Sequence, residues 1–207
     1  FDWGTDIYRN RQLVAERRRR PGDPEHDVLT RLIQGDGGEA LSEVELLQNC
    51  VFLLNAGHET TTNLIGNALL SLQEWPAQRQ QFMADLAACP DGDAREQVLA
   101  LAVDEFLRFE SSNQLGNRRA LRECEIGGQA LPAGTLVTLC IGAANRDPAQ
   151  FAEPDRLDLS RAGNRHLAFG FGIHQCAGLS LARLEGRVAI GRFLQRFARH
   201  RLSAPPV

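Results

Sequence analysis

Phe169-Gly170-Phe171-Gly172-Ile173-His174-Gln175-Cys176-Ala177-Gly178 is the stretch on which the reading of this chain turns. A lone cysteine usually behaves as a small buried hydrophobe. This one stands just ahead of a helical segment expected over about 178–198. Free N–H groups and the positive end of a helix dipole favour a thiolate there. A thiolate is a soft, negative ligand suited to iron. Gly170, Gly172 and Gly178 remove side chains where backbone must press against a flat ligand. Phe169 and Phe171 can shield that ligand from water, and His174 is placed to meet an anionic group. The spacing F-x-x-G-x-x-x-C-x-G is complete, which sets the stretch apart from an ordinary glycine-rich turn.

Working outward, a long helix is expected over about 42–73. Ser42-Glu43-Val44-Glu45 has capping-box spacing at its start. Apolar residues stand nearly all round it (Leu46, Leu47, Cys50, Val51, Leu53, Leu54, then Leu64, Ile65, Leu69, Leu70, Leu72), so it should be buried. Ala56-Gly57-His58-Glu59-Thr60-Thr61-Thr62 interrupts that pattern. Gly57 and the β-branched run disfavour helix, and a buried Glu59 is costly. A local conflict of this kind often marks a functional site. Glu59 and Thr60 are an acid and a hydroxyl that could relay protons, while a Thr-rich kink is the plainer reading.

Helices are also expected over 5–20, 27–34, 77–87 (opened by Pro76) and 94–110, with a glycine-rich turn at Gly35-Asp36-Gly37-Gly38. Arg17-Arg18-Arg19-Arg20 reads mainly as cations at a helix C-terminus. Residues 117–140 carry hairpin signals, with Glu125-Ile126 and 134–139 as β-type runs, and 146–175 is irregular. The fold class is therefore mainly α with a small β component. The chain has 207 residues, 43% of them hydrophobic, and a net charge of −3, so nothing resembles the field of a nucleic-acid binder. All 23 basic residues are arginine, a compositional bias. No apolar run is long enough to span a membrane. The five cysteines are scattered without a CxxC pair, which points to a reducing cytoplasm. The first residues lack a signal-peptide pattern and an initiator Met, so the expectation is a start partway through a longer product.

The cysteine loop, with His166-Leu167-Ala168-Phe169-Gly170 before it and Leu181-Ala182-Arg183-Leu184-Glu185 after it, resembles the heme-binding loop of the cytochrome P450 family, in its bacterial soluble type. Ala56-Gly57-His58-Glu59-Thr60-Thr61 resembles that family's A-G-x-E-T-T oxygen-binding segment. The resemblance implies heme b (iron protoporphyrin IX) between the long helix and the final helix, with Cys176 as axial ligand. Ala56, Gly57, Phe169, Gly170 and Gly178 would border it, and Arg118 and His174 would meet its propionates, with Arg119 as competitor. Glu105 and Arg108 resemble the family's E-x-x-R pair, and Arg156, in Pro154-Asp155-Arg156-Leu157, stands as the third member of a structural triad. Asn113, Gln114 and Leu115 would face substrate. Ser112 replaces the proline the family often carries, which puts the backbone course there in question.

The implied activity is a monooxygenase that inserts one oxygen atom of O2 into a small apolar substrate. Electrons would come from a ferredoxin- or flavodoxin-type partner. Arg183, Arg187, Arg192 and Arg196 would then form a docking face, or simply the solvated side of a helix. The match covers nearly the whole chain but only the C-terminal, heme-binding part of a single domain, 1–207. The N-terminal part of the same protein would be its structural partner, and the chain alone is expected to be poorly stable. A truncated, non-catalytic fragment that keeps the fold is the alternative reading.

Overall fold

The computed structural model describes residues 3–35 and 40–204. Two compact units partition the chain, Phe1–Glu59 and Thr60–Val207. The architecture is mainly helical with a small sheet, as the patterning implied.

The first unit holds α1 (Trp3–Arg19), α2 (Val28–Gln34) and the start of α3 (Glu43–Glu74). Asp27 caps α2: its carboxylate accepts from the Leu29 amide at 3.2 Å and from Thr30 Oγ1 at 2.7 Å. Arg17 pairs with the same carboxylate at 2.7 Å, and Arg18 pairs with Glu43 at 2.6 Å. The arginine run thus ends α1 and ties it to its neighbours. Of the expected turn at Gly35-Asp36-Gly37-Gly38, positions 36–38 lie outside the described residues. The capping box at α3 forms in both directions. Ser42 Oγ accepts from the Glu45 amide at 3.3 Å, and Glu45 Oε2 accepts from the Ser42 amide at 2.9 Å. Val14, Leu46, Leu47 and Cys50 make a small core against Leu29, Leu32 and Ile33.

The expectation that α3 is buried all round does not hold. Leu46, Leu47, Cys50 and Val51 are buried, but Phe52, Leu53 and Leu54 are exposed. The helices of the first unit cover only one stripe of it, and a period of 3.6 carries the next residues away from that stripe. An open apolar groove of about 420 Å³ remains there, walled by Val44, Leu47, Val51 and Phe52.

The second unit continues with α4 (Pro76–Ala88), α5 (Gly92–Phe109), β1 (Leu115–Arg119), β2 (Cys124–Ile126), β3 (Gln129–Leu131), β4 (Leu136–Cys140), a short α6 (Ile141–Ala144), a 3₁₀ turn at Gly172–His174 and α7 (Leu179–Arg196). Pro76 takes the first position of α4, where its missing N–H costs nothing. β1 and β4 pair antiparallel, from Leu115 opposite Cys140 to Arg119 opposite Leu136. β2 and β3 form a tight hairpin across Gly127 and Gly128, both at positive φ as a two-residue turn of this kind demands. β1 and α6 are elements the sequence did not suggest. Among the described residues no helix is long and apolar enough to cross a membrane.

Leu64, Ala68 and Leu72 of α3, Phe82 and Leu86 of α4, Leu99, Val103, Phe106 and Leu107 of α5, and Ile190 and Leu194 of α7 share one core. Gly186 and Gly191 let α7 approach closely. A Cβ at Gly186 would lie 3.1 Å from Leu64 Cδ2 and 3.2 Å from Val103 Cγ1. Gly186→Val should overpack this contact and cost about 1–3 kcal/mol. Thermal unfolding checks this: the variant's Tm should fall, and an unchanged Tm would mean that α7 and α5 have room to part.

Candidate functional site

The irregular segment before the cysteine loop is organised by one buried carboxylate. Glu105 and Arg108 are fully buried one turn apart on α5. Arg108 donates from Nε to Glu105 Oε2 at 2.8 Å and from Nη2 to Oε1 at 2.9 Å, a bidentate pair. Its Nη1 reaches the carbonyls of Asn145 at 2.9 Å and Pro154 at 2.8 Å. Glu105 also accepts from the Asp158 amide at 2.8 Å, Asn164 Nδ2 at 3.0 Å and Arg161 Nε at 3.1 Å.

The second guanidinium on Glu105 therefore belongs to Arg161, which corrects the expectation for Arg156. The Arg156 side chain points outward and pairs with Glu153 at 2.9 Å, while its carbonyl accepts from Arg108 Nη2 at 3.3 Å. Burial alternates along this stretch. Leu157 and Leu159 are buried and Arg161 follows on their side, while Arg156 and Ser160 are exposed. The alternation in Leu157-Asp158-Leu159-Ser160-Arg161 was the available signal.

Buried Asn145 carries this order to the cysteine loop. Its Nδ2 donates to Ser111 Oγ at 2.8 Å, and its Oδ1 accepts from the Leu167 amide at 2.7 Å. The loop then closes on itself. The Gly170 amide donates to the Leu167 carbonyl and the Cys176 amide to the Phe169 carbonyl, both at 2.8 Å. Gly170 has φ 69°, and a Cβ there would stand 3.0 Å from the His174 carbonyl oxygen, so glycine is required twice over. Cys176 precedes Gly178, the N-cap of α7, by two residues, and its thiol is free and exposed. Phe169 packs against the core, whereas Phe171 and Ile173 are exposed at 81% and 97%. His174 and Arg118 are exposed, and Arg118 Nη1 donates to the adjacent Asn117 carbonyl at 2.8 Å.

Ala56, Gly57, Glu59 and Thr60 lie in unbroken helix, so the expected interruption of α3 does not occur. Glu59 is exposed, and the burial cost assigned to it does not arise. Thr60 is half-buried, and its carbonyl accepts from Ser112 Oγ at 2.8 Å. Ser112 thus ties the chain after α5 to α3 by a hydroxyl that proline would lack.

Two arginines of the expected docking face are already engaged. Arg183 Nε pairs with Asp104 at 2.7 Å, and Arg187 lies 3.7 Å from Glu96. Burial alone would raise the Asp104 carboxyl, but hydrogen bonds from His166 and Arg183, with the charge of the Arg183 guanidinium, hold it below its ordinary value of 3.8.

Residues 9–206 match the family Cytochrome P450, and the chain belongs to that family. It is 43% identical over 197 residues to Cytochrome P450 107B1 of Saccharopolyspora erythraea, a match covering 94% of this chain and 45% of that protein. It is 41% identical to the biotin biosynthesis cytochrome P450 of Bacillus subtilis, over 90% of this chain and 44% of the relative. A crystal structure of P450BioI with an acyl carrier protein ligated to hexadec-9Z-enoic acid superposes with a TM-score of 0.80 at 39% identity, over 93% of this chain and 46% of that one. The chain spans about half the length of the curated relatives it matches. The family implies a heme. The cysteine loop fits one: it offers a single soft donor on an exposed face, and residues 171–178 leave that face open.

Two outcomes follow from the charge geometry. Arg161→Ala, which leaves the buried Glu105 short of a cation, should destabilise by about 3 kcal/mol. Arg156→Ala, which removes an exposed pair, should cost about 0–1 kcal/mol. Urea unfolding of the two variants checks the order, and equal losses would refute the assignment. Asp104 contributes stability that is present above its ordinary value of 3.8 and disappears as pH falls through its lowered value. Asp104→Asn should therefore unfold earlier at neutral pH, with the gap closing in acid. A gap that stays constant down to acid pH would contradict this.

Proposed function

We propose that the protein acts as a heme-thiolate monooxygenase, with Cys176 as the axial ligand of heme b. The observation that carries this reading is the closed loop from Phe169 to Gly178, which presents one free, exposed thiol immediately before α7. Phe169, Gly170 and Gly178 would border the macrocycle; for Ala56 and Gly57 the heme-side role rests on their resemblance to the family's oxygen-binding segment. Arg118 and His174 would supply cations or donors to its two propionates.

Bound heme would supply the redox chemistry by which O2 is split, one atom entering a small apolar substrate and the other leaving as water. The chain's own part is to hold the thiolate and to manage protons. Glu59 is exposed, so its carboxylate can exchange protons with water. The next residue, Thr60, carries the hydroxyl through which a proton would be handed on from its Oγ1. Electrons would arrive from a ferredoxin- or flavodoxin-type protein in the cytoplasm. With Arg183 and Arg187 engaged in ion pairs, the exposed Arg192 and Arg196 are the better candidates for contact with such a partner.

A second reading, a fragment with the fold but no competent site, is favoured by the exposed Phe52, Leu53, Leu54, Leu181, Leu184 and Val188. One spectrum separates the two. Reduced protein under carbon monoxide should show a strongly red-shifted Soret band, and Cys176→Ala should abolish the shift. A shift that survives in the variant would remove Cys176 as ligand, and the lack of any heme band would support the fragment. Thr60→Ala should lower product formed per electron consumed by about a hundredfold, the lower end of the loss expected for a missing acid–base step. Unchanged coupling would remove the relay.

A further inference from the structure

We propose that Asp104, His166 and Arg183 form a positioning clamp for the cysteine loop, acting through Phe169. The proposal rests on the reading of Cys176 as heme ligand, and it assigns a role to three residues that this reading leaves unused. Asp104 comes from α5, His166 from the irregular segment and Arg183 from α7. Arg183 Nε donates to Asp104 Oδ1 at 2.7 Å, and His166 Nε2 stands 3.4 Å from the same oxygen.

The His166 side chain is only 1% exposed, which is rare for a group with two polar nitrogens unless both are used. Both are. Nδ1 accepts from the Ala168 amide at 3.2 Å, so the proton sits on Nε2 and faces Asp104. That amide belongs to the residue before Phe169. The His166 ring leans on the Phe169 ring at 5.8 Å between centroids, and the Arg183 guanidinium lies over the same ring at 4.9 Å. Phe169 is thus gripped on its backbone side by His166 and on its ring by Arg183.

The consequence reaches Cys176 through one bond. The Phe169 carbonyl accepts the Cys176 amide at 2.8 Å, and this is the contact that closes the loop. Residues 171–178 are all exposed, and the other backbone bond on Cys176, from the Leu179 amide to its carbonyl, is long at 3.4 Å. The orientation of the ligand's own peptide is therefore set from outside, by an ion pair between two helices and a histidine locked in one tautomer. Arg183 is a positioning residue in this scheme, and its guanidinium is committed inward.

The test uses the full protein with and without heme. Without heme, hydrogen exchange of the peptide covering 169–178 is compared in the parent, His166→Leu and His166→Gln. His166→Leu should exchange the Cys176 amide about tenfold faster, as loss of about 1.4 kcal/mol of local protection gives. His166→Gln keeps one donor and one acceptor and should restore most of the protection. With heme, His166→Leu and Arg183→Ala should convert part of the red-shifted reduced-CO band to an unshifted one at equal heme content, and Arg183→Lys, which keeps the charge but not the planar stack, should fall between. Parent-like exchange and an unchanged band ratio in His166→Leu would overturn the clamp. So would a variant that loses heme and global stability together with no change in band ratio, since that marks a merely structural role. A parent protein without any shifted band would instead sink the ligand assignment, and the exchange data would still decide the clamp.

Discussion

The Glu105 carboxylate sits at zero exposure, and the long irregular segment takes its shape around it. Removing such a charge from water costs several kcal/mol, so the site exists only because the donors around it are complete. Five of them converge on two oxygens: two from Arg108 and one each from Arg161, Asn164 and the Asp158 amide. Arg108 spends its remaining N–H groups on the carbonyls of Asn145, Pro154 and Arg156. One ion pair on α5 thereby fixes Asn145 and the irregular segment 154–164, which has no regular structure to hold it. The single positive-φ residue that is not glycine among the described residues, Glu153, lies within this wrapped segment.

Consecutive residues of α5 point about 100° apart, since a turn takes 3.6 residues. Glu105 faces the irregular segment, and Asp104 faces His166 and Arg183. The same helical turn therefore anchors the chain at two depths, first the wrapped segment and then the approach to the cysteine loop. Asn145 links these depths, receiving Arg108 on its carbonyl and the Leu167 amide on its side chain. An exposed loop with two positive-φ glycines has little rigidity of its own, and here its rigidity comes from buried polar groups on a helix behind it.

The sequence made parts of this legible and concealed others for physical reasons. The helices and their starts were readable because caps and apolar periods are local: the Ser42–Glu45 box and Pro76 both stand where their spacing put them. The cysteine loop was readable because its glycines answer to backbone geometry, as Gly170 at φ 69° shows. Burial was harder, because it depends on what covers a face: the apolar run Phe52-Leu53-Leu54 reads as core yet is exposed. The third arginine was misread because Arg156 and Arg161 differ in which side of one irregular stretch they fall on, and the buried Leu157 and Leu159 mark that side. β1 was missed because Leu115–Arg119 has no strand-like composition and exists by pairing with β4. Asp104, His166 and Arg183 are far apart in the chain and carry no joint signature.

Buried ion pairs seldom add net stability over an apolar core of similar volume, because desolvation takes back most of the attraction. Their value here lies elsewhere. An apolar contact would tolerate sliding, whereas a carboxylate with five donors accepts one arrangement of Asp158, Arg161 and Asn164 only. The role proposed for Cys176 as a heme ligand would need that restriction, since a displacement of about 1 Å is enough to spoil a metal site. The polar interior behind Cys176 thus has its reason in the exposed loop it supports. The chain puts its charged groups where packing alone would leave the Cys176 backbone free to move.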